Sequence, residues 1–316
     1  MKAVRFHAYG DPGVLCYEDA ARPDPAAGDV LIEVAATSFN PVDAGIRAGY
    51  LQQVFPVALP HIPGIDVAGT IVRLGEGVTG WAPGDRVIGF LPMTAAGAAA
   101  EFVAAPAAVL AAAPTTIPLT TAAALPAAAL TAWQALFEHV ELRAGQRVLV
   151  NGAGGGVGGF AVQLAKEAGA FVIATASPRS ADAVRAEGAD QIIDYTATTP
   201  ADALTEPVDA VLNLVAASEA EMTALTGLVR QGGVIVTTAT PAAGDPDRGV
   251  RAVGMQLRTD AGQLATLAKK VDAGEIRVEV SATYPLSQTA LVHEQSAAGR
   301  IRGKVVLTPS TEGKPS

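Results

Sequence analysis

A glycine cluster directly after a short apolar run constrains the fold of this chain more than any other feature. The segment Arg147–Asn151 is rich in β-forming residues and leads into a glycine-rich turn. A helical pattern follows at once, because apolar residues recur at helical spacing from residue 157 to residue 168. Dinucleotide-binding folds use this strand, turn and helix, since glycines let phosphates approach the backbone N–H groups. We expect the pyrophosphate to be held by Gly154, Gly155, Gly156 and Val157.

Strand and helix patterns alternate on both sides of this motif, from about residue 116 to residue 274. Helical patterns separate most of the strand-like segments, which indicates right-handed βαβ units and a parallel sheet covered on both faces. The sequence therefore predicts an α/β unit with a doubly wound parallel sheet. Its further strands are expected at 171–176, 191–195, 208–216 and 233–238, with a possible last strand at 250–256.

The chain before this region has short strands and many turns, which favours a small, mostly antiparallel barrel or sandwich. Strands are expected at 30–34 and 67–72, and barrel-like sequence returns at 277–283 and 303–307. The low-complexity segment 106–118 is interpreted as a connector. We therefore predict one domain from residues 1–115 plus 275–316 and another from 116–274, with a disordered tail from residue 309.

Composition excludes several classes of function. The chain has 22 basic and 31 acidic residues, a net charge of −9, which disfavours a nucleic-acid surface. The single Cys16 excludes an internal disulfide and a multi-cysteine metal site. Prolines interrupt the most apolar region, 95–135, so a membrane span is not expected. The chain start is interpreted as a strand rather than a signal peptide, which predicts a cytoplasmic protein.

Six short motifs occur in order over nearly the whole chain, and together they resemble the zinc-free quinone oxidoreductase (zeta-crystallin-like) branch of the medium-chain dehydrogenases/reductases. The resemblance implies a GroES-like barrel built from both chain ends, with a Rossmann domain inserted between them. Ala153 stands where the first fingerprint glycine is expected, a replacement that this branch often shows. The motifs are Asn40-Pro41-Val42-Asp43, Pro63-Gly64-Ile65-Asp66-Val67-Ala68-Gly69, Gly84-Asp85-Arg86-Val87, Leu130-Thr131-Ala132-Trp133, Ala153-Gly154-Gly155-Gly156-Val157-Gly158 and Gly303-Lys304-Val305-Val306-Leu307.

Zinc ligands are missing from the positions where zinc-dependent relatives carry them. Asp43 stands at the place of their first cysteine and Ile65 at the place of their histidine. An all-carboxylate site from Asp43, Asp66 and Glu101 would suit magnesium or calcium rather than hydride chemistry. Turn, capping or hydrogen-bonding roles suit these three acids better. We therefore predict no metal.

The end of the second Rossmann strand favours NADPH over NADH. An NAD site usually has an acid there to bind the ribose 2′-hydroxyl, and no acid occurs before Asp182. Ser177 and Arg179 suit a 2′-phosphate, because a guanidinium forms paired charged hydrogen bonds with it. The resemblance adds Tyr195 as a further contact to that phosphate. The alternative is that Arg179 is a solvated residue at a helix start.

The resemblance also implies which residues face the nicotinamide. Asn40 could hold the cofactor or polarise a carbonyl, and Tyr50 could donate a proton. The alternatives are that Asn40 is a turn residue before Pro41 and that Tyr50 lines the substrate slot. Contacts to the nicotinamide and its ribose are expected from Thr131, Val215, Thr238 and Ala239, although Thr131 alone is typical of a helix interior.

These observations predict an NADPH-dependent, zinc-independent reductase of quinones or other α,β-unsaturated carbonyls. An enoyl or alkenal reductase of secondary metabolism is the alternative within the same class. An NADPH-binding sensor or structural protein without catalysis is the alternative from another class. The strand predicted at 250–256 has no later strand to cover it, so we expect a homodimer through that edge.

Overall fold

The computed structural model describes residues 1–309, and they form two compact units. Unit 1 comprises Met1–Ala127 together with the chain from Thr259 onward, and unit 2 comprises Ala128–Arg258. The first unit is therefore built from both ends of the chain, with the second inserted between them, as the sequence predicts. Most of the tail for which disorder is expected, residues 310–316, lies outside the described residues.

The described residues form fifteen strands and nine α-helices. The strands are β1 (Lys2–Phe6), β2 (Leu15–Asp19), β3 (Asp29–Ser38), β4 (Asp66–Leu74), β5 (Arg86–Phe90), β6 (Phe102–Pro106), β7 (Leu110–Ala112), β8 (Arg147–Asn151), β9 (Phe171–Ala176), β10 (Gln191–Asp194), β11 (Val208–Asn213), β12 (Val229–Thr237), β13 (Arg251–Gly254), β14 (Val280–Pro285) and β15 (Lys304–Thr308). The α-helices are α1 (Pro41–Ala48), α2 (Leu119–Ala122), α3 (Pro126–Trp133), α4 (Gly156–Glu167), α5 (Ala181–Ala186), α6 (Pro200–Ala203), α7 (Glu219–Leu228), α8 (Ala261–Asp272) and α9 (Thr289–Ala297).

Unit 1 is organised around a mostly antiparallel sheet in the order β14-β15-β3-β4-β5-β7, with β6 also paired to β3. Only the β14–β15 pair is parallel. Alternate residues of β3, namely Val30, Ile32 and Val34, point into a core shared with β4 and β5. The segment 106–118 is not merely a connector, because β7 lies within it and pairs with β5.

Unit 2 is a six-stranded parallel sheet in the order β10-β9-β8-β11-β12-β13. Helices connect most consecutive strands, and buried aliphatic residues from the sheet and from α7 form its core. The strand order runs outward in both directions from β8, which is the doubly wound arrangement. The Rossmann-type expectation is confirmed, and the predicted sixth strand is β13, at the sheet's edge.

The division between units differs from the predicted domain boundaries at 115/116 and 274/275. The observed boundaries lie at 127/128 and 258/259. The reason is packing, since α2 contacts β3 and β4 while α8 contacts β7, so both helices belong to unit 1. In residues 1–309 no helix combines the length and apolar character that a bilayer span requires.

Candidate cofactor and active site

The glycine turn after β8 has the geometry of a phosphate cradle. Gly155 is the N-cap of α4, with φ at −88°, and a Cβ placed there would meet only the Gly152 carbonyl oxygen, at 3.4 Å. A Cβ on Gly158 would instead lie 2.5 Å from the Ala153 backbone. Gly158 is thus required for packing of the helix on the strand, whereas the space beside Gly155 is free for a ligand. These residues fit a dinucleotide's pyrophosphate.

Polar side chains at the ends of three strands fix this turn. Thr175 Oγ1 accepts a hydrogen bond from the Gly152 N–H and donates to Asn151 Oδ1, both at 2.8 Å. Asn151 Nδ2 donates to Asn213 Oδ1 at 2.8 Å, and Asn213 Nδ2 donates to the Val215 carbonyl at 2.9 Å. Asn151, Thr175 and Asn213 are not among the site residues predicted from the sequence. Their signal is a polar residue at or near the end of an otherwise apolar strand.

The residues expected to bind a 2′-phosphate lie at one edge of the parallel sheet. Ser177 and Arg179 follow β9, and Tyr195 follows β10, whose last residue pairs in register with the last residue of β9. Ser177 is buried, Arg179 is exposed and the Tyr195 side chain is 55 % exposed. The exposed side chains of Arg179 and Tyr195 therefore follow the ends of two neighbouring strands, where both could contact an anion in solvent.

The remaining expected cofactor residues lie mostly at the same edge. Val215 follows β11, and Thr238 and Ala239 follow β12, so all three come after the carboxyl ends of parallel strands. Ligands in open α/β sheets bind outside these strand ends. Thr131 is buried on α3. Its contact with a nicotinamide stays a prediction.

In unit 1, Asn40 belongs to a buried polar cluster. Its Nδ2 donates to Asp66 Oδ2 at 2.8 Å and to the Ser38 carbonyl at 3.2 Å. Its Oδ1 accepts from Lys304 Nζ at 2.8 Å. Both N–H groups of the amide are thus donated within the protein, so polarisation of a substrate carbonyl by Asn40 would require one of these bonds to break. The arrangement fits a positioning role better than direct contact with substrate.

Asp66 joins the parts of this cluster. Its Oδ2 also accepts from the Ser38 hydroxyl and lies 3.4 Å from Lys304 Nζ, and its Oδ1 accepts from the Ala127 N–H at 2.7 Å. Asp66 therefore satisfies a backbone donor in the first turn of α3 as well as pairing with a buried lysine. Hydrogen bonding is one of the roles that the sequence predicts for Asp66.

Asp43 is a second buried carboxyl group, held by backbone donors. Its Oδ2 accepts from the Asn40 N–H and its Oδ1 from the Gly64 N–H, each at 3.0 Å. Burial raises the pKa of Asp43 to about 6, although both hydrogen bonds favour the charged form. Glu101 accepts from the exposed Lys2 N–H. Residues 1–309 contain no group of three or more His, Cys, Asp or Glu side chains that could hold a metal.

Tyr50, the second expected catalytic residue, lies in the turn after α1. That helix ends at Gly49, whose φ of +85° is a left-handed conformation. The Tyr50 side chain is 88 % exposed, and its N–H donates to the Gly45 carbonyl at 3.1 Å. Its exposure in unit 1 suits either a proton donor or a residue lining a slot, so both interpretations stay open.

Family comparisons match both units. Residues 26–115 match the alcohol dehydrogenase GroES-like domain, and residues 187–307 match the zinc-binding dehydrogenase family model. The chloroplast envelope quinone oxidoreductase homolog of Arabidopsis thaliana is 33 % identical over 98 % of both chains. This chain belongs to the quinone oxidoreductase family of medium-chain dehydrogenases/reductases. It is therefore an oxidoreductase that uses a nicotinamide cofactor.

Two further relatives are similar over nearly the whole of this chain. The 2-methylene-furan-3-one reductase of Solanum lycopersicum is 33 % identical over 98 % of this chain and 79 % of its own. The Escherichia coli quinone oxidoreductase, whose structure was solved with NADPH, superposes with a TM-score of 0.87 at 26 % identity, covering 98 % of this chain and all of its own. Some relatives carry chloroplastic or mitochondrial names, so a cytoplasmic location for this family member stays a prediction.

Proposed function

We propose that this protein is an NADPH-dependent, zinc-independent reductase of quinones or other α,β-unsaturated carbonyls. The cofactor assignment rests on the residues that follow β9 and β10 in the parallel sheet. Ser177, Arg179 and Tyr195 follow these strands, and no acid lies at the end of β9 to bind a ribose 2′-hydroxyl. A guanidinium beside a hydroxyl suits a 2′-phosphate. The NADPH complex of the E. coli relative supports the same choice.

In this proposal the chain's residues bind and orient, and the bound nicotinamide supplies the hydride. Gly154, Gly155, Gly156 and the start of α4 hold the pyrophosphate through backbone N–H groups. Val215, Thr238 and Ala239, together with Thr131, contact the nicotinamide and its ribose. Asn40 is held by hydrogen bonds with Lys304 and Asp66 and has a positioning role in unit 1. Tyr50 lines the substrate slot or donates a proton.

The acceptor class is proposed from its chemistry and from the relatives. Hydride addition to a conjugated carbonyl needs no metal when the negative charge that develops is delocalised, as in a quinone or an enone. Quinone oxidoreductase relatives support a quinone, and the furanone reductase relative favours an enone as the second candidate. An NADPH-binding sensor without turnover is the alternative from a different class.

Zinc independence is proposed from the residues at the corresponding positions. Both carboxylate oxygens of Asp43 accept hydrogen bonds from backbone N–H groups, and the side chain of Ile65 is apolar and buried. Elemental analysis of purified protein should therefore find no stoichiometric zinc, and a chelator should not reduce turnover. About one zinc per chain with chelator-sensitive turnover would contradict this part of the proposal.

The central experiment is steady-state oxidation of NADPH against a panel of quinones and enones, with NADH in parallel. We expect turnover with at least one acceptor and a clear preference for NADPH. Turnover restricted to enones would select the alkenal reductase. Tight NADPH binding without turnover on any acceptor would instead select the sensor.

We also propose that the protein forms a homodimer through β13. This strand is the outer strand of the six-stranded sheet, and an open edge normally needs pairing or cover. Asp245 and Val250 exchange two backbone hydrogen bonds, at 2.8 and 3.0 Å, just before β13 begins. Two such edges can pair about a two-fold axis and leave no open strand.

A further inference from the structure

A small pocket in unit 1 contains one carboxyl group and one imidazole among apolar side chains. Its lining includes Asp43 and His61 together with Ile46, Ile65 and Met93. The pocket is only partly enclosed and has room for about one water molecule, so a single oxygen atom of a ligand could fill it.

Asp43 is the group in this pocket that can hold a proton near neutral pH. Burial raises its pKa to about 6, the negative Asp66 nearby acts in the same direction, and the backbone hydrogen bonds and Lys304 act against them. A general acid is most effective when its pKa lies near the working pH. The two backbone N–H groups from Asn40 and Gly64 are already in place to stabilise the carboxylate once the proton has left.

The other polar groups near the pocket are less suited to this role. Burial lowers the pKa of His61 to about 4, so its imidazole is neutral at physiological pH. The His61 ring packs edge-on against Phe6, with centroids 5.3 Å apart. Asn40 has donated both side-chain N–H groups within the protein. Of the two titratable residues that line the pocket, Asp43 is thus the one that can hold a proton near neutral pH.

We propose that the acceptor's carbonyl oxygen enters this pocket and that Asp43 is the catalytic acid that protonates it. The inference rests on the proposed function, because the nicotinamide supplies the two electrons as hydride. Hydride addition leaves an electron pair on the acceptor oxygen. The O–H bond of Asp43 then breaks as the new O–H bond on the acceptor forms. The carboxylate left at Asp43 regains a proton from solvent, so the cycle consumes NADPH, one proton and the acceptor.

A binding experiment without cofactor tests this assignment independently of turnover. The probe is a quinone with ¹³C-labelled carbonyl groups, bound to the wild-type protein and followed by isotope-edited infrared spectroscopy between pH 4.5 and 8. We expect one carbonyl stretch to lie at lower frequency at acid pH and to rise with a midpoint near 6, because the neutral acid donates a hydrogen bond and the carboxylate cannot. A stretch that does not change with pH, or a probe that does not bind, would overturn the proposal.

Variants extend the test to catalysis. Asp43→Asn should remove the pH dependence of the carbonyl stretch and lower kcat by about 100-fold or more, with an unchanged Kd for NADPH. Asp24→Asn removes an exposed carboxyl group of the same unit and should leave both measurements as in the wild type. If Tyr50→Phe abolishes the pH dependence and Asp43→Asn does not, Tyr50 is the donor and the proposal is wrong.

The outcomes also separate this proposal from the proposed function. Turnover on the acceptor panel with a pH-independent carbonyl stretch would preserve the reductase and remove Asp43 from its mechanism. A titrating stretch without turnover on any acceptor would reject the reductase and with it the catalytic role of Asp43, and would leave only carbonyl binding at this pocket. Poor folding of Asp43→Asn would not block the decision, since the infrared titration uses the wild-type protein.

Discussion

Lys304 Nζ lies 2.8 Å from Asn40 Oδ1, although the two residues are 264 positions apart in the chain. The same ammonium lies 3.4 Å from Asp66 Oδ2 and donates to the Phe39 carbonyl at 3.2 Å. Lys304 and Asp66 are both buried, so each charge depends on the other and on the polar groups between them. The cluster ties β15 from the end of the chain to β3 and β4 from its beginning.

Removing one member of this charge pair should strongly destabilise unit 1. Lys304→Met leaves Asp66 buried without its cation and should cost about 3–5 kcal/mol of unfolding free energy. The variants should be made in a Trp133→Phe background, where Trp81 of unit 1 reports urea unfolding. Lys2→Met, which breaks the exposed pair with Asp19, is the matched control and should change little.

A double-mutant cycle separates the charge pair from simple packing. Combining Lys304→Met with Asp66→Asn should cost less than the sum of the two single changes, by about 1–3 kcal/mol. Strictly additive costs would show that Lys304 and Asp66 contribute independently and that the cluster does not act as a unit.

The sequence predicted the parts of this fold whose signal is local. The glycine turn before α4 and the apolar runs of β8, β9 and β12 are each readable within about fifteen residues. The cluster around Asn40 was not predictable in the same way. It depends on β15 pairing with β3, where Val306 lies opposite Ser38, and no local pattern encodes that pairing. The domain boundaries were displaced for a similar reason, because short helices such as α2 are assigned by what they pack against.

Arg179 should determine the preference for NADPH over NADH. Arg179→Ala removes a charged donor to the 2′-phosphate, which is worth roughly 1.5–3 kcal/mol, or about 10- to 100-fold in the Kd for NADPH. The Kd for NADH should stay nearly constant, because that cofactor lacks the phosphate. Arg185→Ala is the control, since Arg185 pairs with Asp182 on the following helix. Equal weakening of both cofactors by Arg179→Ala would assign Arg179 a structural role.

Substitutions of two glycines in the turn should affect different properties, one NADPH binding and the other stability. Gly155→Val should abolish NADPH binding while the thermal unfolding midpoint changes little, because the new side chain enters the space for the pyrophosphate and its Cβ meets only one atom, at 3.4 Å. Gly158→Ala should lower the unfolding midpoint, since its Cβ would lie 2.5 Å from the Ala153 backbone. Full NADPH affinity in a folded Gly155→Val protein would place the phosphates elsewhere.

The buried Asp43 should make the stability of unit 1 fall as pH rises. Its pKa of about 6 exceeds the ordinary value of 3.8, so the folded state holds the proton more tightly than the unfolded chain. This stabilising contribution is complete below about pH 4 and is lost as pH rises through 6. The unfolding free energy of wild type relative to Asp43→Asn should therefore fall by up to ~3 kcal/mol between pH 4 and pH 7.

Asp245 provides a control with the opposite sign. A hydrogen bond from Arg248 lowers the pKa of Asp245, so its contribution is present at neutral pH and is lost as pH falls. The stability of wild type relative to Asp245→Asn should therefore rise with pH. If the difference for Asp43→Asn shows no decline between pH 4 and pH 7, Asp43 does not titrate as a buried acid.

The edge of β13 should carry the dimer contact. Met255 N–H donates to the Thr237 carbonyl on β12, and because N–H directions alternate along a strand, the N–H of Gly254 faces away from β12. Gly254→Pro removes this outward donor and should convert the dimer to a monomer, whereas Gly254→Ala should not, since its Cβ would have nothing within 4 Å. Light scattering at micromolar concentration measures both. A wild-type mass near 31.9 kDa that does not change on concentration would refute the dimer, and a dimer that survives Gly254→Pro would place the contact on another surface.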